Sequence, residues 1–254
     1  MYNNRKITAI VQVRTGSSRV PNKVLKVIEG KPIITHVIDR IRLSKYIDDI
    51  IIATTDLRRD NIIEEYCRNN NIKYFRGSEQ DVLSRFYYTA KSYNVDIIAR
   101  LTSENPLLDP DIIDIVIKKH IDDNNDYTAN NIKRTYPRGL DTEIFNFNIL
   151  EKVFNNATKD YEKEHVTPYI YDHPNKFKLS NIEAVGKFNR PDIRITLDTY
   201  DDLKLLEVLL HHFKDKEFRI EDIIDFLNEN PKLLDFNKDI VFSNTYTERG
   251  KKNE

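Results

Sequence analysis

The chain reads as an α/β protein, a mostly parallel sheet covered by helices on both faces. Short β-branched runs recur at 7–13, 49–53, 72–75 and 95–101. The segments between them carry apolar residues at helical spacing. Strands alternating with helices imply parallel strands joined by crossovers. The length, 254 residues, suits one substantial core, or a core plus a small subdomain.

The first run, Ile7-Thr8-Ala9-Ile10-Val11, has the character of a buried strand. After a turn-rich stretch, Ile33, Ile34, Val37, Ile38 and Ile41 share one helical face, with Pro32 placed as a first-turn proline. Ile62, Ile63, Tyr66 and Cys67 form a second set, and Val82, Leu83, Phe86, Tyr87 and Ala90 a third. Ile112, Ile113, Val116, Ile117 and His120 form the fourth, opened by the cap Asp109-Pro110-Asp111. The alternation breaks after about residue 130. Segment 134–141 is irregular and charged, 141–147 alternates like a strand, and 148–154 and 160–171 look helical. Segments 177–184 and 192–197 look extended, and helices are expected at 200–213 and 220–229. The organisation expected is one domain over 1–236, with 133–190 as an inserted arm and 237–254 as a flexible tail.

The chain holds 40 basic and 41 acidic residues, which argues against a nonspecific nucleic-acid binder and leaves room for a local basic pocket. Its one cysteine, Cys67, excludes an internal disulfide framework and is expected to fill the core. No apolar stretch approaches the ~18 residues of a membrane span, and no signal-peptide apolar region is visible. A cytoplasmic protein without membrane contact is expected.

In such sheets ligands sit beyond the carboxyl ends of the strands. The first strand ends in Val13-Arg14-Thr15-Gly16-Ser17-Ser18-Arg19-Val20-Pro21-Asn22-Lys23, a turn-rich loop with three cations, a glycine and three hydroxyls. It suits a polyphosphate, whose oxygens backbone N–H groups and hydroxyls can line while the cations offset its charge. From the loop alone, a solvated surface turn is an equal alternative. Glu104 follows the fourth strand, and Asp198 ends the run Arg194-Ile195-Thr196-Leu197. Two carboxylates at strand ends beside a cationic loop suit Mg²⁺ bound to a nucleoside triphosphate. Asp198 could instead cap the helix that follows it, and Glu104 could bond a turn. Ser78-x-x-Asp81 is also a helix-capping pattern. His120, His211 and His212 lack ligand spacing.

Arg14-x4-Arg19-x-Pro21-x-Lys23 resembles the nucleotide-binding signature of the sugar cytidylyltransferases, among them the acylneuraminate and deoxy-octulosonate cytidylyltransferases. The strongest resemblance is to the SpsF-type branch associated with spore-coat polysaccharide. Gly30-Lys31-Pro32-Ile33, Ala53-Thr54-Thr55-Asp56 and the stretch from Arg76 to Phe86 match in the family's order. Tyr136-Pro137-Arg138-Gly139-Leu140-Asp141-Thr142-Glu143, the stretch from Glu164 to Ile170 and Leu197-Asp198-Thr199-x-x-Asp202-Leu203 complete the series. The resemblance covers roughly residues 7–230. It implies a Rossmann-like fold of the nucleotide-diphospho-sugar transferase type, and transfer of CMP from CTP to a sugar or sugar-acid acceptor with release of pyrophosphate.

By the same resemblance Arg14, Arg19 and Lys23 are catalytic. With Gly16, Ser17, Ser18, Arg76, Ser78, Asp81 and Arg85 they bind the nucleotide. Glu104 and Asp198 hold Mg²⁺, and Arg138, Asp141, Glu143 and His165 face the acceptor. A structural role for His165 is an open alternative. The family usually has Asp at the position of Glu104, and often Pro at that of Tyr200. A nucleotide-sugar-dependent glycosyltransferase is a competing expectation, disfavoured because Ser103-Glu104-Asn105 stands where an Asp-x-Asp set would be. A catalytically impaired nucleotide-binding homologue is another. A homodimer is expected through the arm, with Tyr136, Ile144, Phe145 and the 161–171 segment supplying apolar surface.

Overall fold

The computed structural model describes residues 2, 5–214 and 216–240. Its centre is a seven-stranded sheet ordered β5-β4-β1-β6-β8-β7-β9. The strands of this sheet are β1 (Ile7–Gln12), β4 (Asp49–Thr55), β5 (Lys73–Gly77), β6 (Ile97–Thr102), β7 (Tyr127–Ala129), β8 (Glu143–Asn146) and β9 (Leu179–Asn181). β2 (Val27–Ile28) and β3 (Lys31–Pro32) form a separate antiparallel hairpin. β1 pairs in parallel with β4 and β6, and β4 with β5. β8 runs antiparallel to both β6 and β7, and β9 is parallel to β7. The sheet is therefore mostly parallel, as the alternating pattern implies.

Successive strand residues face opposite sides, so β1 feeds two cores. Ile7, Ala9 and Val11 pack with α1 (Ile33–Arg42), α2 (Asn61–Asn69), α4 (Pro110–Asp122), α8 (Tyr200–Phe213) and α9 (Ile220–Glu229). Ile10 joins Ile51, Ala53 and Ile98 on the other face, under α3 (Val82–Ser92) and α5 (Phe147–Asn156). Burial on both faces is why β1 and β6 are nearly continuous apolar runs rather than alternating ones. α1 buries Ile33, Ile34, Val37, Ile38 and Ile41, and ends with Arg40 and Arg42 against its negative terminus. At α4 the Asp109 carboxylate accepts from the N–H groups of Asp111 and Ile112, at 2.9 and 3.1 Å. Its other oxygen accepts from Ile220 N–H at 2.6 Å, so one cap fixes two helices.

Several expectations for the second half change. β7 has no counterpart in the expected elements, being only three residues long. Segment 133–190 contributes β8 and β9 to the central sheet. The run at 192–197 forms no strand and is tied to Arg138 by a single bridge. The helix expected over 160–171 is two, α6 (Asp160–His165) and α7 (Pro168–Tyr171). They part at Val166, whose φ of 72° and ψ of −53° make a tight turn closed by Thr167 N–H donating to His165 O at 2.9 Å. Tyr136, Ile144 and Phe145 are buried in this one chain, so they supply none of the apolar surface expected of them. Within the expected tail Asn237 is buried, and residues 241–254 lie outside the described ones.

Candidate active site

The loop after β1 is held in shape from below. Val13 N–H donates to Ala53 O at 3.1 Å, continuing the sheet for one more residue. Asp60, wholly buried after β4, accepts from Thr15 N–H at 2.8 Å and from the Thr15 hydroxyl at 2.5 Å. Its second oxygen accepts from the Thr55 hydroxyl. One carboxylate therefore fastens the loop to the carboxyl end of β4. Within the loop, Ser17 and Asn22 donate backbone N–H groups to Thr15 O, and Ser17 Oγ accepts from Val20 N–H. Asn22 takes the left-handed conformation, φ 54°, that turns the chain into the short helix Lys23–Leu25.

That turn buries the Lys23 side chain, which is 6% exposed. Its ammonium donates to Leu197 O at 2.7 Å and lies 2.9 Å from Glu104 and 3.1 Å from Asp198. The two carboxylates come together because Glu104 O accepts from Leu197 N–H at 2.8 Å and from the Thr196 hydroxyl at 3.2 Å. These bonds stitch the β6 turn to the run that ends at Asp198. Arg19 reaches the same Asp198 oxygen at 3.2 Å. Burial pushes the Asp198 carboxyl up, but Lys23 and Arg194 outweigh it and hold it below its ordinary value.

Above this floor opens a cleft of about 960 Å³. Of the residues singled out in the sequence, Arg14, Gly16, Ser17, Ser18, Arg19, Lys23, Asp81, Arg85, Glu104 and His165 line it. Asp198 adjoins it through Lys23. Arg85 is buried, donates to Ser78 O at 2.7 Å, and its Nε has no partner among the described residues. Burial, reinforced by Arg14, brings its pKa down to about 10, so it stays a cation at neutral pH.

Other candidates stand behind the cleft. Arg76 spends its guanidinium on Thr55 O, Leu57 O and Glu64. The Ser78 hydroxyl accepts from the N–H of Asp81, the residue on the cleft wall that caps α3 by accepting from Ser84 N–H. Arg134 makes a two-pronged pair with Asp141, at 2.6 and 2.8 Å. Arg138 uses its backbone to hold residues 193–195. Glu143 is buried and taken up by Arg100 at 2.9 Å, the Thr167 hydroxyl at 3.0 Å and Asn131 at 3.2 Å. Cys67 is buried, and burial pushes its thiol up to about 12, which leaves it a core filler.

Sequence reasoning missed Arg59, Asp160 and Lys163, and gave no site role to the motif residues Glu79 and Glu164, though all five are on the cleft wall. Arg59 lies over the loop so closely that a Cβ on Gly16 would sit 2.6 Å from its guanidinium. Glu79 bridges Arg59 and Arg14. The position of Arg59, just beyond the carboxyl end of β4, was the available signal.

Among the described residues no cluster of three or more His, Cys, Asp or Glu side chains could hold a metal. Glu104 and Asp198 are a two-carboxylate set already arranged around a cation, the Lys23 ammonium. Such a set fits Mg²⁺, a hard ion that takes one or two protein carboxylates and completes its shell with phosphate and water.

The sequence profile of the family described as Cytidylyltransferase matches residues 8–243. The chain is 34% identical over 231 residues to the spore coat polysaccharide biosynthesis protein SpsF of Bacillus subtilis, covering 89% of this chain and 95% of that protein. Its fold superposes on a cytidylyltransferase from Leptospira borgpetersenii with a TM-score of 0.86 at 31% identity, over 94% of this chain and 99% of that one. A CMP:2-keto-3-deoxy-manno-octonic acid synthetase solved with CTP shares the fold, with a TM-score of 0.60 at 17% identity, over 82% and 99% of the two chains. With a family profile matched over most of its length and a relative 34% identical over 89% of it, this chain belongs to the cytidylyltransferase family, the CTP-dependent nucleotidyltransferases.

Proposed function

We propose that the chain transfers CMP from CTP to a sugar or sugar-acid acceptor in surface polysaccharide or glycoconjugate biosynthesis, in the cytoplasm, as a homodimer. The observation that carries this is the Lys23 ammonium between Glu104 and Asp198, at the floor of a cleft edged by Arg14, Arg19 and Arg59. The names of the SpsF and octonic acid synthetase relatives support the acceptor class and the pathway.

An acceptor oxygen attacks the α-phosphorus of CTP in line. The new O–P bond forms, the bond to the β-phosphate oxygen breaks, pyrophosphate leaves, and the hydroxyl proton passes to solvent. Arg14, Arg19 and Lys23 bind and orient the triphosphate and stabilise its oxygens as charge moves to the leaving group. Gly16, Ser17 and Ser18 let the backbone approach those oxygens. Asp81 and Arg85 form the wall toward the nucleoside, with Arg76 and Ser78 ordering that wall from behind. His165 faces the acceptor, while Arg138, Asp141 and Glu143 support that side of the site. Glu104 and Asp198 would hold Mg²⁺, which neutralises the phosphate oxygens when bound.

Incubation with CTP, Mg²⁺ and a panel of 2-keto-3-deoxy sugar acids and other sugars, with pyrophosphate assayed and product masses read, tests this. Pyrophosphate release with a CMP-acceptor mass is expected. Lys23→Met and Asp198→Asn are expected to stay folded and lose about 100-fold or more of turnover, the scale of one lost transition-state contact. Turnover only of a preformed nucleotide sugar would refute the transfer of CMP. A monomer by light scattering at micromolar concentration would refute the homodimer.

A further inference from the structure

Asp198 is held from two sides. Lys23 and Arg19 meet its Oδ1 in the cleft. On the other side Arg194 donates from Nη2 to Asp198 Oδ2 at 2.7 Å, and from Nε to Asp202 Oδ1 at 2.7 Å. Asp202, wholly buried, accepts from the backbone N–H groups of Asp198 and Thr199, both at 2.9 Å. Arg194 and Asp202 thus orient the carboxylate and the backbone of Asp198 together. The network is closed by a residue from the far end of the described chain. Asn237 follows the short helix Pro231–Phe236 and is 5% exposed. Its side-chain amide donates to Asp202 Oδ1 at 2.9 Å and to the backbone carbonyl of Arg194 at 3.0 Å. Both partners are acceptors only, so the amide nitrogen must face them, and an oxygen there would meet two oxygens.

We propose that Asn237 is a positioning residue for Asp198, acting through Arg194 and Asp202. The inference rests on the reading of Asp198 as a metal-holding carboxylate. The outer partners of metal-holding groups fix ligand direction, and their loss weakens metal affinity or activity by about 10- to 100-fold. Asn237 does this from a segment that the sequence presents as the start of a tail. The last turn of the described chain is therefore part of the machinery of the site.

The test is CTP binding by titration calorimetry with and without saturating Mn²⁺, beside a thermal melt. The quantity read is the factor by which Mn²⁺ tightens CTP binding. In Asn237→Ala that factor is expected to fall about tenfold, while metal-free CTP affinity stays within about twofold. Asn237→Asp, the same shape without the donor, is expected to behave the same way. Leu234→Ala, in the same short helix and packed against the core, lowers the melting temperature but leaves the factor unchanged. If Asn237→Ala does not fold, Asn237→Leu, close in size and without the donor, carries the comparison. A wild-type factor in the folded Asn237 variants, or an equal loss in Leu234→Ala, overturns the inference. Asp198→Asn separates the two levels. If it keeps the wild-type factor, the metal reading of Asp198 falls and the inference with it. If it loses the factor while the Asn237 variants keep it, only the positioning role is refuted.

Discussion

Replacing Asp60 by alanine should damage both the stability of the protein and its grip on CTP. The Asp60 carboxylate is wholly buried and serves three donors, the Thr15 N–H, the Thr15 hydroxyl and the Thr55 hydroxyl. Thr15 and Thr55 are buried too, so water cannot replace the lost acceptor without opening the loop. A hydrogen bond to a charged group contributes about 1.5–3 kcal/mol. The Thr15 N–H cannot turn elsewhere and bears the full loss, whereas the hydroxyls can rotate toward other acceptors. Relief of the carboxylate's own burial offsets part of the sum, which leaves a destabilisation of about 3–5 kcal/mol. For a domain of this size that is a fall of roughly 8–15 °C in melting temperature. The loop is then no longer preset for the triphosphate, and CTP affinity should drop about tenfold, or 1.4 kcal/mol. Differential scanning calorimetry and CTP titration read the two effects. A melt within about 2 °C of wild type would refute the clamp. Lower stability with unchanged CTP affinity would show that the loop's shape does not depend on it.

Three more outcomes follow from the same kind of bookkeeping. Glu143→Ala strips Arg100 of its buried carboxylate partner and should cost about 3–5 kcal/mol in urea unfolding. The double change Glu143→Leu with Arg100→Met should recover most of it, and equal losses in both would refute the pairing argument. Gly139 sits at φ +115°, where an added Cβ would lie 2.7 Å from the Ile195 carbonyl and 2.9 Å from Thr196 N. Gly139→Ala should cost about 1–3 kcal/mol from backbone conformation alone. It should also lower turnover, since the displaced run ends at Asp198, and a wild-type melt would contradict this. His120 is buried, and burial lowers its pKa from 6.5 to about 4. The unfolded chain takes up the proton first, so the stabilisation is complete above about pH 6.5 and is lost as pH falls toward 4, by on the order of 2–3 kcal/mol. Urea midpoints at pH 7, 6 and 5 should fall for the wild type, and His120→Gln should flatten that slope.

Much of this molecule is local, and local features are visible in a sequence. β1, β4 and β6 announce themselves as β-branched runs because burial on both faces demands continuous apolar residues, whereas β5, a half-buried edge strand, shows less of that pattern. α1 and α4 show their buried faces in their spacing and their ends in Pro32, Asp109 and Pro110. The loop from Arg14 to Lys23 is legible as one cationic unit because all its groups are neighbours in the chain. Glu104 stands out just past a buried strand, and Asp198 at the end of the run Arg194-Ile195-Thr196-Leu197. By itself, then, the sequence determined the fold class, the edge of the sheet at which the cleft opens, and the charged residues that meet at its floor.

The tertiary structure alone decided which polar groups serve the site and which serve the core. Glu143 sits in a long motif beside candidate acceptor residues, yet it is buried against Arg100, forty-three positions away in the chain. Asp60 had no visible role until Thr15 came to it, and Asn237 lay in an expected tail until it met Asp202. No periodicity or propensity encodes such pairs, because a buried polar group is satisfied by whichever distant segment the packing brings within 3 Å. Periodicity says which face of an element is hidden, and only the assembled chain says what each hidden polar atom meets there.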